Sequence, residues 1–152
     1  MKKFRFGLET VLSYKNQILE SLQVEHAAVI AKVRRQEECI EELWRSYYAY
    51  SDEYTVKCAQ GMEITMVLSY QAALRARERE IEDETRRLEE FRKEEEAKRS
   101  EVVEAKKDTS TIEKLREKKL DAYHAAEAKS EELRVEEFVS SRSIVASNAS
   151  IG

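Results

Sequence analysis

A chain that contains almost nothing to stop a helix is committed to long ones, and this sequence has no proline and only three glycines, Gly7, Gly61 and Gly152. Proline's missing N–H and ring clash, and glycine's backbone freedom, are the usual interruptions of a helix. Neither occurs between residue 8 and residue 60. Strong helix formers dominate, and 38% of the 152 residues are charged, which is the composition of an extended helix or coiled coil. A compact α/β enzyme does not fit.

Hydrophobic spacing supplies the fold. Stepping alternately three and four residues from Leu12 lands on Lys15, Leu19, Leu22, His26, Val29, Val33, Gln36, Ile40, Leu43, Tyr47, Tyr50 and Tyr54. Ten of these thirteen positions are apolar or aromatic, a heptad seam of the kind along which helices coil around one another. Beyond Gly61 a second series appears at sevenfold spacing, with Val67, Leu74, Ile81, Leu88, Glu95 and Val102. Glycine just past a helix readily takes the left-handed conformation that ends it. The pattern therefore predicts an all-α fold, a long two-helix antiparallel coiled-coil hairpin with an overhanging C-terminal helix. Its helices cover about residues 8–57 and 64–138, joined by a turn over about 58–63.

A turn centred on residues 60 and 61 sets residue i opposite roughly 121 − i, because both helices rise equally per residue. That register pairs Ile40 with Ile81, Val33 with Leu88, Leu19 with Val102, His26 with Glu95 and Gln36 with Thr85, and places Tyr47 and Tyr50 over Ala72 and Ala73. At 1.5 Å per residue the helices would be ~75 Å and ~110 Å long. The second outruns the first, so residues from about Glu113 to Phe138 would lack a partner in the chain while still carrying Leu115, Leu120, Tyr123, Leu133 and Phe138. Between Arg92 and Glu101 nearly every residue is charged, and Glu89 with Lys93, Glu94 with Lys98, and Glu95 with Arg99 have the i, i+4 spacing of helical ion pairs. Ser110 to Glu113 reads Ser-x-x-Glu, a capping box that would restart a helix, but continuity is the favoured reading. Residues 139–152 contain five serines and little periodicity, which predicts a disordered tail after a hairpin domain over residues 1–138.

Composition also limits function. The net charge is −4 with both signs interleaved, so no basic stripe is expected to bind nucleic acid. Apolar runs such as Ala27 to Ala31 fall far short of the ~20 residues of a membrane span, and Phe4, Phe6 and Gly7 lead into no secretory apolar core, so cytosolic residence is expected. Cys39 and Cys58 lack metal or redox spacing and read as reduced, structural thiols. The two histidines are not spaced as metal ligands, and no phosphate loop or nucleophile elbow occurs, so neither a cofactor, a metal nor catalysis is expected. His26 reads as a register-setting polar layer.

Two clusters suit binding to other proteins. Trp44, Tyr47, Tyr48, Tyr50 and Tyr54 are five of the twelve aromatics, crowded near the turn. Packing in the hairpin and anchoring a partner are both open to them, with Trp44 and Tyr48 pointing off the seam. On the overhang, Leu115, Arg116, Glu117, Lys118 and Lys119 with Tyr123 mix basic side chains with an aromatic, either as a charged helix surface or as a contact site. Phe4 and Phe6 either staple the first turn or insert into a partner.

Several residues share an order with a known family: Phe4-x-Phe6-x-Leu8-Glu9 opening a long helix, Tyr50-x-x-Glu53-Tyr54 before Gly61, Ser69-Tyr70-Gln71 after it, then Leu115 to Lys119 with Tyr123. The chain resembles the flagellar FliJ family over nearly its whole length to about Arg142. The resemblance implies a non-enzymatic component of the flagellar type III export apparatus, a two-helix coil similar to the central stalk of rotary ATPases. Its implied partners are the hexameric export ATPase, the cytoplasmic domain of the export gate and export chaperones. The implied location is cytoplasmic, peripheral to the inner face of the membrane, with a role in flagellum assembly and motility. It further implies gate contact near the turn, through Leu43, Tyr47, Tyr50 and Tyr54. The matching second-helix positions, Ala73, Arg77, Glu80 and Glu84, are smaller or more charged than that pattern. A virulence-type secretion stalk and a structural coiled coil that dimerises through the same heptads are the alternatives.

Overall fold

The computed structural model of the chain describes residues 2–152. Two helices account for nearly all of them, α1 (Glu9–Gln60) and α2 (Ile64–Ala149), packed against each other with no strand among the described residues. Leu8 carbonyl accepts the first helical bond of α1 from Leu12 N–H at 2.8 Å, and Glu9 in the first turn complements the positive end of the helix dipole. The break falls where glycine permits it. Gly61 has φ +93°, the left-handed region, and its N–H donates to Cys58 carbonyl at 3.2 Å. Glu63 then starts α2 by accepting bonds from Met66 and Val67.

Contacts divide the chain into two units, one of Ile18–Ala105 and one of the residues up to Gln17 with those from Lys106 on. In the first unit the pairing register is set by polar contacts across the helices. His26 meets Glu95 as expected, while Gln36 donates to the backbone carbonyl of Glu84 at 3.0 Å and to its carboxylate, rather than meeting Thr85. Thr85 donates instead to Ile81 carbonyl one turn back. Paired residue numbers add to values from 120, for Gln36 with Glu84, to 129, for Glu37 with Arg92. Helices that end at Gln60 and resume at Ile64 centre the turn on residue 62, which raises the mirror sum from 121 to 124.

All thirteen seam positions from Leu12 to Tyr54 are buried or half-buried. The sevenfold series on α2 runs on past Val102 through Thr109, Arg116 and Tyr123 with the same burial, so the helix is unbroken through Ser110. Leu12, Val29, Ile81 and Leu88 are the buried apolar side chains of this seam outside its aromatic end, each contributing ~2 kcal/mol. Charged neighbours do not all pair along the helix. Glu95 does meet Arg99 at 3.0 Å, but Glu94 reaches Lys32 at 3.2 Å and Lys98 reaches Glu25 at 2.7 Å on the facing helix. Exposed pairs of either kind are worth under ~1 kcal/mol, so small differences in reach decide which forms.

The half-buried His26–Glu95 layer carries a pH dependence. His26 Nε2 donates to Glu95 Oε1 at 2.8 Å and Arg99 donates to the same oxygen. The His26 bond first, then Arg99, holds the Glu95 carboxyl below its ordinary 4.5, against the opposing effect of burial. A depressed folded-state value favours the ionised form in the fold. Its stabilisation is complete above the unfolded value and lost as pH falls through the folded one. The melting-temperature gap between the native chain and Glu95→Gln should be full at about pH 6 and close below about pH 4.5. A gap unchanged down to about pH 3 would show that Glu95 does not titrate with folding.

In the other unit, Lys15 pairs with Asp108 at 3.6 Å and Arg116 with Glu9 at 3.0 Å. Residues before α1 continue this pairing without being helical. Phe6 is buried, and Tyr123 hydroxyl donates to Lys2 carbonyl at 2.9 Å. Burial on α2 therefore extends to Glu127 and every side chain from Ala128 on is exposed, which moves the start of the unpaired stretch well past Glu113. The mirror rule counted only helix and so left out this non-helical leader. Helix also continues to Ala149, through the serine-rich end read as a disordered tail, since nothing before Gly152 in that stretch interrupts a helical backbone.

Candidate partner-binding surfaces

The aromatic cluster of α1 separates into an inward and an outward group. Tyr50 and Tyr54 stack on Tyr70 of α2 at centroid distances of 4.9 and 5.4 Å, and Tyr70 is buried. Arg77 lies 4.2 Å over the Tyr50 ring, Lys57 lies 5.6 Å over Tyr70, and Gln71 donates to Tyr54 hydroxyl. The Tyr70 bond, ahead of that from Glu53, raises the pKa of Lys57 above its ordinary 10.5. Two turns earlier, Trp44 and Tyr48 stack at 5.6 Å with both rings exposed, and Tyr47 meets each of them edge-on. Tyr47 hydroxyl donates to Glu78 at 2.8 Å, and that carboxylate raises the phenol's pKa above 10.0. Leu43 is half-buried on the same seam.

Leu43, Tyr47, Tyr50 and Tyr54 therefore share one stripe, with Trp44 and Tyr48 as its exposed flank. Sequence spacing placed Ala72 and Ala73 opposite the tyrosines and so missed Tyr70. The signal was available, because Tyr70 stands at i+3 from Val67 and on the same face as Leu74. Of the second-helix positions, Arg77 and Glu84 are engaged inside the hairpin, on Tyr50 and Gln36, while Glu80 is exposed.

The second predicted set divides likewise. Lys118 and Lys119 are exposed. Arg116 and Tyr123 are engaged by the leader and the first residue of α1: Arg116 pairs with Glu9 and lies 6.0 Å over the Phe4 ring, and Phe4 packs against Tyr123 at 5.5 Å. Beyond them Leu133, Val135, Phe138, Ile144 and Val145 are each more than half exposed along one helix. Cys39 and Cys58 are free and exposed, rather than packed. Among the described residues no group of three or more His, Cys, Asp or Glu is arranged to hold a metal ion, and no helix is long and apolar enough to cross a membrane.

A helical hairpin with surfaces of this kind leaves family membership to decide its role. Residues 4–148 match the family described as flagellar FliJ protein. The chain belongs to the FliJ family. It is thereby a component of the flagellar export apparatus, in a family that is not catalytic. No curated protein and no solved structure matches it.

Proposed function

We propose that this FliJ-family chain acts as a central stalk, coupling the hexameric export ATPase to the cytoplasmic domain of the membrane export gate and meeting export chaperones. It thereby supports flagellum assembly and motility. The observation that carries this reading is the stretch of α2 from Ala128 to Ala149, a helix whose side chains are all exposed although Leu133, Val135, Phe138, Ile144 and Val145 are apolar. Apolar surface of that extent on one helix is favourable only when another molecule covers it. The gate contact is assigned to Leu43, Tyr47, Tyr50 and Tyr54 with the exposed rings of Trp44 and Tyr48, since rigid aromatics make strong anchors at little entropic cost. Lys118 and Lys119 extend the other contact, toward the ATPase. Association with the gate would hold the chain at the inner face of the membrane, and ATP hydrolysis would belong to the ring.

Mixing the chain with the purified export ATPase tests this directly. Faster hydrolysis together with more ring assembly is the expected result. An ATPase whose turnover and assembly state do not respond to the added chain would overturn the stalk reading.

A further inference from the structure

Past Glu127, where burial on α2 ends, the helix begins a second heptad stripe beside the one that ends with Tyr123 and Glu127. Ala128, Glu131, Val135, Phe138, Arg142 and Val145 follow one another in alternating steps of three and four, and all six are exposed. The order is symmetric. Taken inward from both ends, Ala128 answers Val145, Glu131 answers Arg142 and Val135 answers Phe138, each pair equidistant from the midpoint between Glu136 and Glu137. Two antiparallel copies of one helix meet in that order, since residue i then faces residue j and j faces i.

Midway along the stripe, Glu131, Arg134, Val135 and Phe138 line an open hollow of about 400 Å³. Four residues at those spacings form the hole that receives one side chain of a facing helix in a coiled coil. In the symmetric order its occupant is the Phe138 ring of a second copy, set over Val135. The stripe carries one acid and one base, Glu131 and Arg142, and the guanidinium already lies 5.7 Å over the Phe138 ring of its own chain. Other charges of the stretch do not oppose the pairing. Lys129, Glu136 and Glu137 lie on the far side of the helix, and at the margins Glu132 would stand beside Val139 and Arg134 beside Ser141.

We propose that residues 128–145 of α2 pair antiparallel with the same residues of a second copy of this chain, with two Phe138 rings at the centre and two Glu131–Arg142 ion pairs beside them. The contact is only ~27 Å long and falls short of the ~1,200 Å² of a standard interface, which makes the dimer weak and reversible. Val135, Phe138 and Val145 are thereby covered in the free chain and released to a tighter partner, while Leu133 and Ile144, on the far side, stay open. This inference goes beyond the stalk reading, and its test requires no ATPase, so either can fail alone.

Sedimentation equilibrium of the full chain at low salt reads the pairing. Between about 10 and about 300 µM the native chain should rise from 17.8 kDa toward twice that mass. Glu131→Arg sets arginines against each other at both ion-pair positions and Arg142→Glu sets carboxylates together, so each variant alone should pair at least about tenfold more weakly. An equal mixture of the two restores opposite charges at every contact and should pair as well as the native chain. Both substituted side chains are exposed, so helicity should be unchanged in every sample. A native chain that keeps the monomer mass throughout, single variants that pair as it does, a mixture no better than either variant, or a dimer that survives ending the chain after Glu127 would each overturn the proposal.

Discussion

Replacing Tyr70 with alanine is expected to cost about 3 kcal/mol of folding stability, read as a lower urea midpoint of the helical signal at an unchanged slope. Tyr70 is the one aromatic of α2 that is buried, at 6% exposure, and it is stacked on both Tyr50 and Tyr54. Alanine removes the burial of the ring, two stacking contacts and the surface beneath Lys57 at once. Tyr70→Phe should cost far less, because it keeps the ring and loses only the hydroxyl's interactions with Glu53, at 3.4 Å, and Lys57. A cost below about 1 kcal/mol for the alanine variant would mean that the three rings do not act as the core of the turn end. The same geometry guides the dissection of gate binding. Substituting Tyr50 or Tyr54 disturbs the stack on Tyr70 as well as any recognition, whereas Trp44 and Tyr48 touch each other and Tyr47 and can be changed with less effect on the hairpin.

Periodicity made the hairpin legible because a two-helix coil has a single buried stripe, and the residues on that stripe must repeat every three or four positions. Even the polar members obeyed it: Lys15, His26 and Gln36 lie on the seam as half-buried or buried side chains, with Asp108, Glu95 and Glu84 as partners. Gly61 located the turn but not its centre. It is the residue that ends α1, and α2 resumes only at Ile64, so the turn centres on residue 62 while the His26–Glu95 layer keeps its expected pairing. What sequence pattern could not settle was the choice among contacts of similar energy. Lys98 has Glu94, Glu101 and Glu25 as candidates and takes the last two, and no rule of spacing ranks one exposed ion pair above another. The leader was illegible for a different reason. Residues 2–8 have no helical period, so Phe4 and Phe6 gave no direction, and the face occupied by Arg116 and Tyr123 looked empty.

Ending the chain after Glu127 is expected to abolish stimulation of the export ATPase while leaving the fold intact. The removed residues, Ala128 to Gly152, are all exposed, so their loss opens no cavity and leaves no buried polar group without its partner. The midpoint of unfolding should therefore move by less than about 0.5 kcal/mol equivalent, and the Phe4–Tyr123 contact and Arg116–Glu9 pair should remain. Binding is another matter, because the deletion takes away Leu133, Val135, Phe138, Ile144 and Val145 together. An earlier cut, after Thr111, would also strip the leader of its contacts with Arg116 and Tyr123, so that a loss of function there could reflect a loosened fold. The later cut separates the two causes. Turnover measured with the purified ATPase against rising amounts of the shortened chain decides between them: full stimulation would place the ATPase contact elsewhere on the hairpin, and none at all, with helicity preserved, would place it on the last turns of α2.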